Sequence, residues 1–164
     1  MALPNKVLPG FSAVLYAQPT ASPTPLTTAQ LSLVASVSPI AVSGNIIPVE
    51  AIPAFGQDDA VASFGVAGSR QSDKIPVQAA PTSMTITAAW NPADTNLLLM
   101  RADAASGVID RTFVVSATDG TNIVYYAFNG RVGQFQIDSA PGAEAKCTFT
   151  IHPRGNQYGW SNNA

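Results

Sequence analysis

The sequence predicts a mainly β fold of the α+β kind, with one α-helix laid against an antiparallel sheet. Three observations carry this. First, in Ser83-Met84-Thr85-Ile86-Thr87-Ala88-Ala89-Trp90 the residues Met84, Ile86, Ala88 and Trp90 share one parity and Ser83, Thr85 and Thr87 the other. That period of two fits a strand with one buried face. Second, a helix-start signal, Asn91-Pro92-Ala93-Asp94, follows at once, with Asn91 as cap, Pro92 at the first helical position and Asp94 at the positive end of the dipole. Ala93, Leu97, Met100 and Ala104 then recur at helical spacing as the expected packing face, and Gly107 stops the run. Third, strand-like runs follow at 111–118, 122–129, 133–138 and 146–152, the last ending at Pro153.

Taken in order, 7–15 alternates weakly and predicts a first strand, and 18–25 holds three prolines and predicts an extended loop. Residues 26–37 carry both helical and strand features: Thr27-Thr28-Ala29-Gln30 suits a short capped helix, whereas Leu31-Ser32-Leu33-Val34-Ala35-Ser36-Val37 suits a strand. Ile46–Val49 and Ile52–Phe55 are short extended pieces. Gln57-Asp58-Asp59 is turn-rich, Gly65–Asp73 reads as a mobile loop, and Ile75-Pro76-Val77 returns the chain to the sheet. Asp119-Gly120 and Asn129-Gly130 are hairpin signals. The end, 155–164, has no pattern and reads as a frayed tail, with Tyr158 and Trp160 free to dock on a neighbour.

The chain of 164 residues suits a single domain, 1–164, with a real core. Charged residues make up 11%, well below the usual quarter, and the net charge is −2. Such a surface cannot grip nucleic acid by neutralising many phosphates. From Val7 to Val49 no side chain is charged. Exposed strands and loops normally carry some charge to keep their edges from sticking, so this stretch is expected to be covered by another subunit. The start lacks a charged segment followed by an apolar run, and no stretch is long and apolar enough to span a membrane. The expectation is residence in a cytosol until assembly, with no membrane partner.

Enzyme chemistry needs a constellation that the sequence does not offer. The single cysteine, Cys147, shares a parity with Phe149 and Ile151 and reads as a core thiol. The single histidine, His152, lies on the opposite parity, so no Cys–His pair forms. Asp58-Asp59 reads as a solvated turn, and Asp103, Asp110, Asp119 and Asp138 as residues near element ends that serve solubility and turns. Arg101, Arg111, Arg131 and Arg154 are scattered. Phe64–Gly68 lacks the lysine and helix of a phosphate loop. No catalytic, cofactor or metal residue is expected.

With these elements placed, the layout resembles the major tail tube proteins of long-tailed bacteriophages. The resemblance rests on Ile86–Asp94, on the helix with Leu97-Leu98, on the Asp119-Gly120 hairpin, on Tyr126–Val132 and on the closing strand Cys147–Ile151; Ile47–Val49 with Phe55-Gly56 is similar to that family's N-terminal part. It covers about 46–155, which makes 1–45 an N-terminal extension or insertion and 156–164 a C-terminal tail. The resemblance implies a β-sandwich or barrel subunit with one flanking helix, six of which form a ring with a joined barrel. Rings stack into a tube with other tail proteins, and double-stranded DNA passes through on its way into the host. It implies a virion tail location. A sparsely charged wall suits a conduit that must not hold what it conducts. Ser83, Thr85, Thr87, Gln134 and Gln136 are the candidate lumen-facing residues, and Gly65–Asp73 the candidate contact between rings. The alternative is a β-sandwich binding module, a capsid decoration or carbohydrate-binding domain, in which Tyr125, Tyr126, Tyr158 and Trp160 stack on sugars.

Overall fold

The structure, a computed structural model, describes residues 12–64, 73–118 and 120–162. Its framework is a six-stranded antiparallel sheet of β1 (Ser12–Ala17), β2 (Ile46–Ile47), β5 (Met84–Ala89), β6 (Asp110–Thr118), β7 (Ile123–Asp138) and β8 (Lys146–Asn162), in the order β2-β1-β6-β7-β8-β5. A separate two-stranded sheet pairs β3 (Gln57–Phe64) with β4 (Asp73–Pro81). Three α-helices are present among the described residues, α1 (Thr28–Leu31), α2 (Val34–Val37) and α3 (Thr95–Ser106). The architecture is therefore mainly β, antiparallel, with α3 as the one long helix.

The large sheet is curled, and one short segment ties its two ends together. Ile46 and Ile47 pair with Tyr16 and Leu15 of β1. Only two residues on, Val49 bridges to Ala88 of β5, with Ala89 N–H donating to Pro48 C=O (3.1 Å) and Glu50 N–H to Thr87 C=O (2.9 Å). The concave side is the main core, where Leu15, Met84, Ile86, Phe113, Phe128, Phe149 and Ile151 are fully buried. Helix α3 closes this core with Leu97 and Met100, both fully buried. The alternation expected for β5 is present: Met84, Ile86 and Ala88 are buried, Thr85 exposed and Thr87 half-buried.

The start of α3 differs from expectation. Its cap is Asp94, whose carboxylate accepts from the Asn96 and Leu97 N–H groups, and the helix begins at Thr95. Asn91 accepts from Ala93 N–H instead, in a turn that precedes the helix. Ala93 is thus outside the helix and exposed rather than on its packing face. Two good N-cap residues compete three positions apart, and the one that places Leu97 and Met100 against the sheet wins. Gly107 ends the helix at φ 67°, as its position predicted.

The segment 26–41 resolves into α1 and α2. Thr27 and Gln30 form a reciprocal capping box at α1. Leu31, Val37 and Ile40 pack on Val114 and Ala127, on the convex side of β6 and β7. The uncharged stretch is therefore covered in part from within the chain, by folding back onto its own sheet. Leu33, Val34 and Val42 remain exposed. The first strand runs over Ser12–Ala17 rather than 7–15; residues 7–11 lie outside the described ones.

Four further expectations are corrected. Asn129-Gly130 is no turn; it lies inside the sixteen-residue β7, so the two runs 122–129 and 133–138 are one strand. β7 is flanked by β6 and β8, and Asn129 faces Thr112 on one side and Arg154 on the other. The Asn129 side chain accepts from Thr112 Oγ1 (2.7 Å) and donates to Leu26 C=O (2.7 Å). At Gly130 an added Cβ would stand 2.9 Å from Ile151 Cγ2, so this glycine admits a close approach rather than a reversal. β8 does not stop at Pro153 or fray after it; it continues to Asn162, with 158–162 paired to 123–127 of β7. Pro153 fits because the β5–β8 ladder ends at Ile151, so no β5 residue pairs with it. Gln57-Asp58-Asp59 begins β3 instead of a turn, and Ile75-Pro76-Val77 pairs with β3, not with the large sheet. Thr118 faces Ile123 across the β6–β7 hairpin, and Gly120 has φ 92°; Asp119 of that signal, and 65–72 of the expected loop, lie outside the described residues.

Candidate functional site

The convex side of β5, β8 and the second half of β7 is a continuous polar face. Thr85 faces Thr150, and Thr87 faces Thr148, across the β5–β8 ladder. Gln136 faces Thr148 from β7. Between Gly133 and Gln136 the β7–β8 register shifts by a bulge, at which Gln134 takes φ 54°. The bulge keeps Phe135 inward, stacked on Phe149 with centroids 5.9 Å apart, while Gln134 and Gln136 are both exposed. Thr150 Oγ1 lies 3.4 Å from Gln134 Oε1, across this bulge. Ser83, just before β5, is exposed, and its Oγ lies 2.9 Å from His152 Nδ1.

The two candidate groups, Ser83/Thr85/Thr87 and Gln134/Gln136, are therefore brought to one face by β8, which runs between their strands. Sequence reasoning missed Thr148, which is half-buried, and Thr150, which is buried at 7% exposure beneath the Gln134 side chain's bulge; they lie between the two groups. Their signal was present: once Cys147, Phe149 and Ile151 are placed inward, Thr148 and Thr150 must point outward. The helix residues divide: Leu97 and Met100 are buried, Ala104 is partly buried against the core, and Ala93 is exposed.

Among the described side chains, charge stands at the two ends of this face. At one end Lys146 forms an ion pair with Glu50, and the bond to Glu50 is the main cause that raises the Lys146 pKa. At the other, Asp110 accepts from Arg131 Nε (2.9 Å) and from an Arg154 terminal nitrogen (3.1 Å). Arg131 and Arg154 are thus not isolated, and Asp110 anchors both instead of serving a turn. Asp103 and Arg111 are corrected more strongly. Both are buried, with Arg111 Nε to Asp103 Oδ2 at 2.6 Å and the second prong at 3.0 Å. The other Arg111 terminal nitrogen donates to Gln18 C=O and Thr20 C=O.

Among the described side chains, reactive groups do not converge. Cys147 is buried in the main core, and burial pushes its thiol pKa up. His152 is exposed on the opposite side of β8. Among the described residues no group of three or more His, Cys, Asp or Glu side chains could hold a metal ion. No helix among them is long and apolar enough to cross a membrane. The groove beside α3, lined by Arg101, Ala104, Ala105, Phe135 and Ile137, holds neither nucleophile nor base. Tyr125 and Tyr126 are half-buried, Tyr126 edge-on to Phe55 at 5.0 Å and Tyr125 packed on the α1–α2 cluster. They do not form an open stacking platform.

No protein-family model matches the sequence, and no curated protein does. Among solved structures, the chain is similar to one in the 6-fold symmetrised cryo-EM structure of the anti-feeding prophage (AFP) baseplate. That match has a TM-score of 0.66 and 10% identity, and covers 100% of both chains. It is also similar to the SPP1 tail tube, with a TM-score of 0.54 and 10% identity over 90% of this chain and 75% of that one. At this identity the likeness is one of fold, and the fold of this chain is the one found in phage tail tube and baseplate proteins.

Proposed function

We propose that this chain is a structural protein of a phage-type tail, whose copies form six-membered rings that stack into a tube through which double-stranded DNA passes into the host. The observation that carries the reading is the polar face of β5, β8 and β7, in a fold shared with tail tube and baseplate chains. Hydroxyl and amide side chains cover its middle, and the ionised groups stand at its ends. Such a wall solvates a polyanion without neutralising it, so the duplex slides rather than binds. Ser83, Thr85, Thr87, Gln134 and Gln136, joined by the half-buried Thr148, line the lumen in this reading.

The role is architectural, without catalysis, cofactor or membrane partner. The protein resides in the virion tail and in the host cytoplasm before assembly, and it contacts other tail proteins at the ends of the tube. Of the aromatics that the carbohydrate-binding alternative invokes, Tyr125 and Tyr126 are half-buried and poorly placed to stack on a sugar, and the side chains of Tyr158 and Trp160 lie outside the described ones. The test is negative-stain electron microscopy of concentrated protein, with mass measurement of any oligomer. Six-membered rings or tubes are expected; a monomer at every concentration overturns the reading.

A further inference from the structure

Strand β8 is paired on both sides for only part of its length. Lys146–Ile151 lie between β5 and β7, whereas from His152 to Asn162 the ladder runs to β7 alone. Among the described residues no strand pairs with the other edge of that second part. Pro153 and Arg154 blunt its beginning, but Gly155–Asn162 holds no charged residue and no proline. Proteins normally guard a long open edge with such residues, because its unpaired N–H and C=O groups are a template for another strand.

The chain's own next strand is turned away from this edge. Thr87 C=O and Ala89 N–H are taken by residues 48–50, so the backbone groups of Met84, Ile86 and Ala88 are the ones that point to β8. Continued two residues past the Met84–Ile151 pair, the same register sets Thr82 opposite Pro153. Pro153 has no N–H to donate. The Thr82 N–H bonds to Gly56 C=O instead (3.1 Å), and the chain upstream forms β4, which pairs with β3. β4 lies close to its own β8 but makes no ladder with it.

The hairpin turned away is itself incomplete. β3 and β4, of 8 and 9 residues, form a two-stranded sheet, with Val61 of β3 53% exposed. Two strands alone are marginal in water and need a third strand or a packed face. Since β4 is the strand that runs beside the large sheet, β3 carries the free edge of the hairpin.

We propose that the open edge of β8, 154–162, takes up the β3 edge of a second copy as an added strand. One copy's large sheet then continues into its neighbour's hairpin through main-chain hydrogen bonds. The lengths agree, nine positions on β8 against eight residues in β3. The two edges differ, so the joint is head-to-tail and repeats around a ring or along a filament. The proposal rests on the reading that copies of this chain associate, and it adds which edges meet.

The test is disulfide trapping between two populations in a Cys147→Ala background. One carries Val61→Cys and a size tag; the other carries a single cysteine substitution placed in turn from 156 to 161. They are mixed where the parent associates and oxidised mildly. A disulfide between tagged and untagged copies is expected at one or two β8 positions and about ten-fold less at the others, since the bond needs Cα atoms about 4.4–6.8 Å apart. A disulfide closed within one chain carrying both cysteines means that a copy's own hairpin returns to β8. One between two β8 cysteines means that edge meets like edge. Either result, equal yield at every position, or no disulfide overturns the proposal. The unmodified protein supplies a second reading: amides of 57–64 and of 154–162 are expected to gain hydrogen-exchange protection together on association, and unchanged protection in either stretch overturns the joint. Rings without the disulfide remove the joint and leave the tube reading standing. A parent that stays monomeric at every concentration removes that reading and the joint with it.

Discussion

Asp103 of α3 and Arg111 of β6 are joined by a two-pronged ion pair, 2.6 Å and 3.0 Å long, with side chains 1% and 0% exposed. The pair fixes the end of the helix to the sheet. Through its remaining nitrogen, Arg111 also gathers the backbone carbonyls of Gln18 and Thr20. One side chain thus ties helix, sheet and the loop that leads to α1. Removing one partner leaves a buried charge without compensation, which costs about 3–5 kcal/mol. Asp103→Leu alone is expected to destabilise by that amount in denaturant unfolding. The double variant Asp103→Leu/Arg111→Met is expected to recover most of the loss, less the bonds to residues 18 and 20. A single variant as stable as the parent contradicts the pair's role.

Leu97 points from α3 into the main core and is fully buried. Leu97→Ala is expected to cost about 2–5 kcal/mol as a cavity forms. Leu97→Asp places an unpaired charge against the sheet and is expected to abolish folding. Circular dichroism and thermal melts check both. A folded Leu97→Asp protein would mean that the helix packs elsewhere.

Gly130 makes a prediction that separates strand from turn. In a turn, alanine would meet backbone strain only; here its methyl meets Ile151 Cγ2 at 2.9 Å. Gly130→Ala is expected to cost about 1–3 kcal/mol through overpacking, and in an Ile151→Ala background, where Cγ2 is absent, the same change is expected to cost less. Gly120→Ala, by contrast, meets nothing within 4 Å and suffers only its φ of 92°. Ile151→Ala is expected not to relieve it.

Cys147 links burial to pH. Burial raises its thiol pKa, the nearby Asp94 charge adds to this, and a backbone bond at Ala88 opposes it. The folded state therefore keeps the proton at pH values where the unfolded chain has released it. Stability from this group is fully present below the ordinary thiol range of about 8.5 and declines as pH rises through it. Unfolding free energy measured from pH 7 to pH 10 is expected to fall with a slope that Cys147→Ala reduces. Labelling by a thiol-reactive disulfide is expected to track global unfolding; fast labelling of folded protein contradicts the buried placement.

Backbone periods alone made the facing of side chains legible in β5, α3 and β8. The alternation of Met84, Ile86 and Ala88 with Thr85 and Thr87 fixed which side of β5 is buried. The spacing from Leu97 to Gly107 fixed the helix and its stop, and Cys147 and His152 were separated by parity alone. These are consequences of backbone periods that neighbouring residues enforce on one another. Tertiary structure decided what depends on a distant partner. Asn129-Gly130 carries a strong turn signal, yet it stays extended because β6 and β8 flank it on both sides. Residues 158–162 have no pattern of their own and become a strand because 123–127 offers them a ladder. Asp103 and Arg111 look like surface charges until the fold removes both from water together. The joining of Ser83, Thr85 and Thr87 with Gln134 and Gln136 into one face was likewise settled by β8 running between them. Local dihedral and hydrophobic preferences carry no information about which strand becomes the neighbour, and pairing over long separations supplies it.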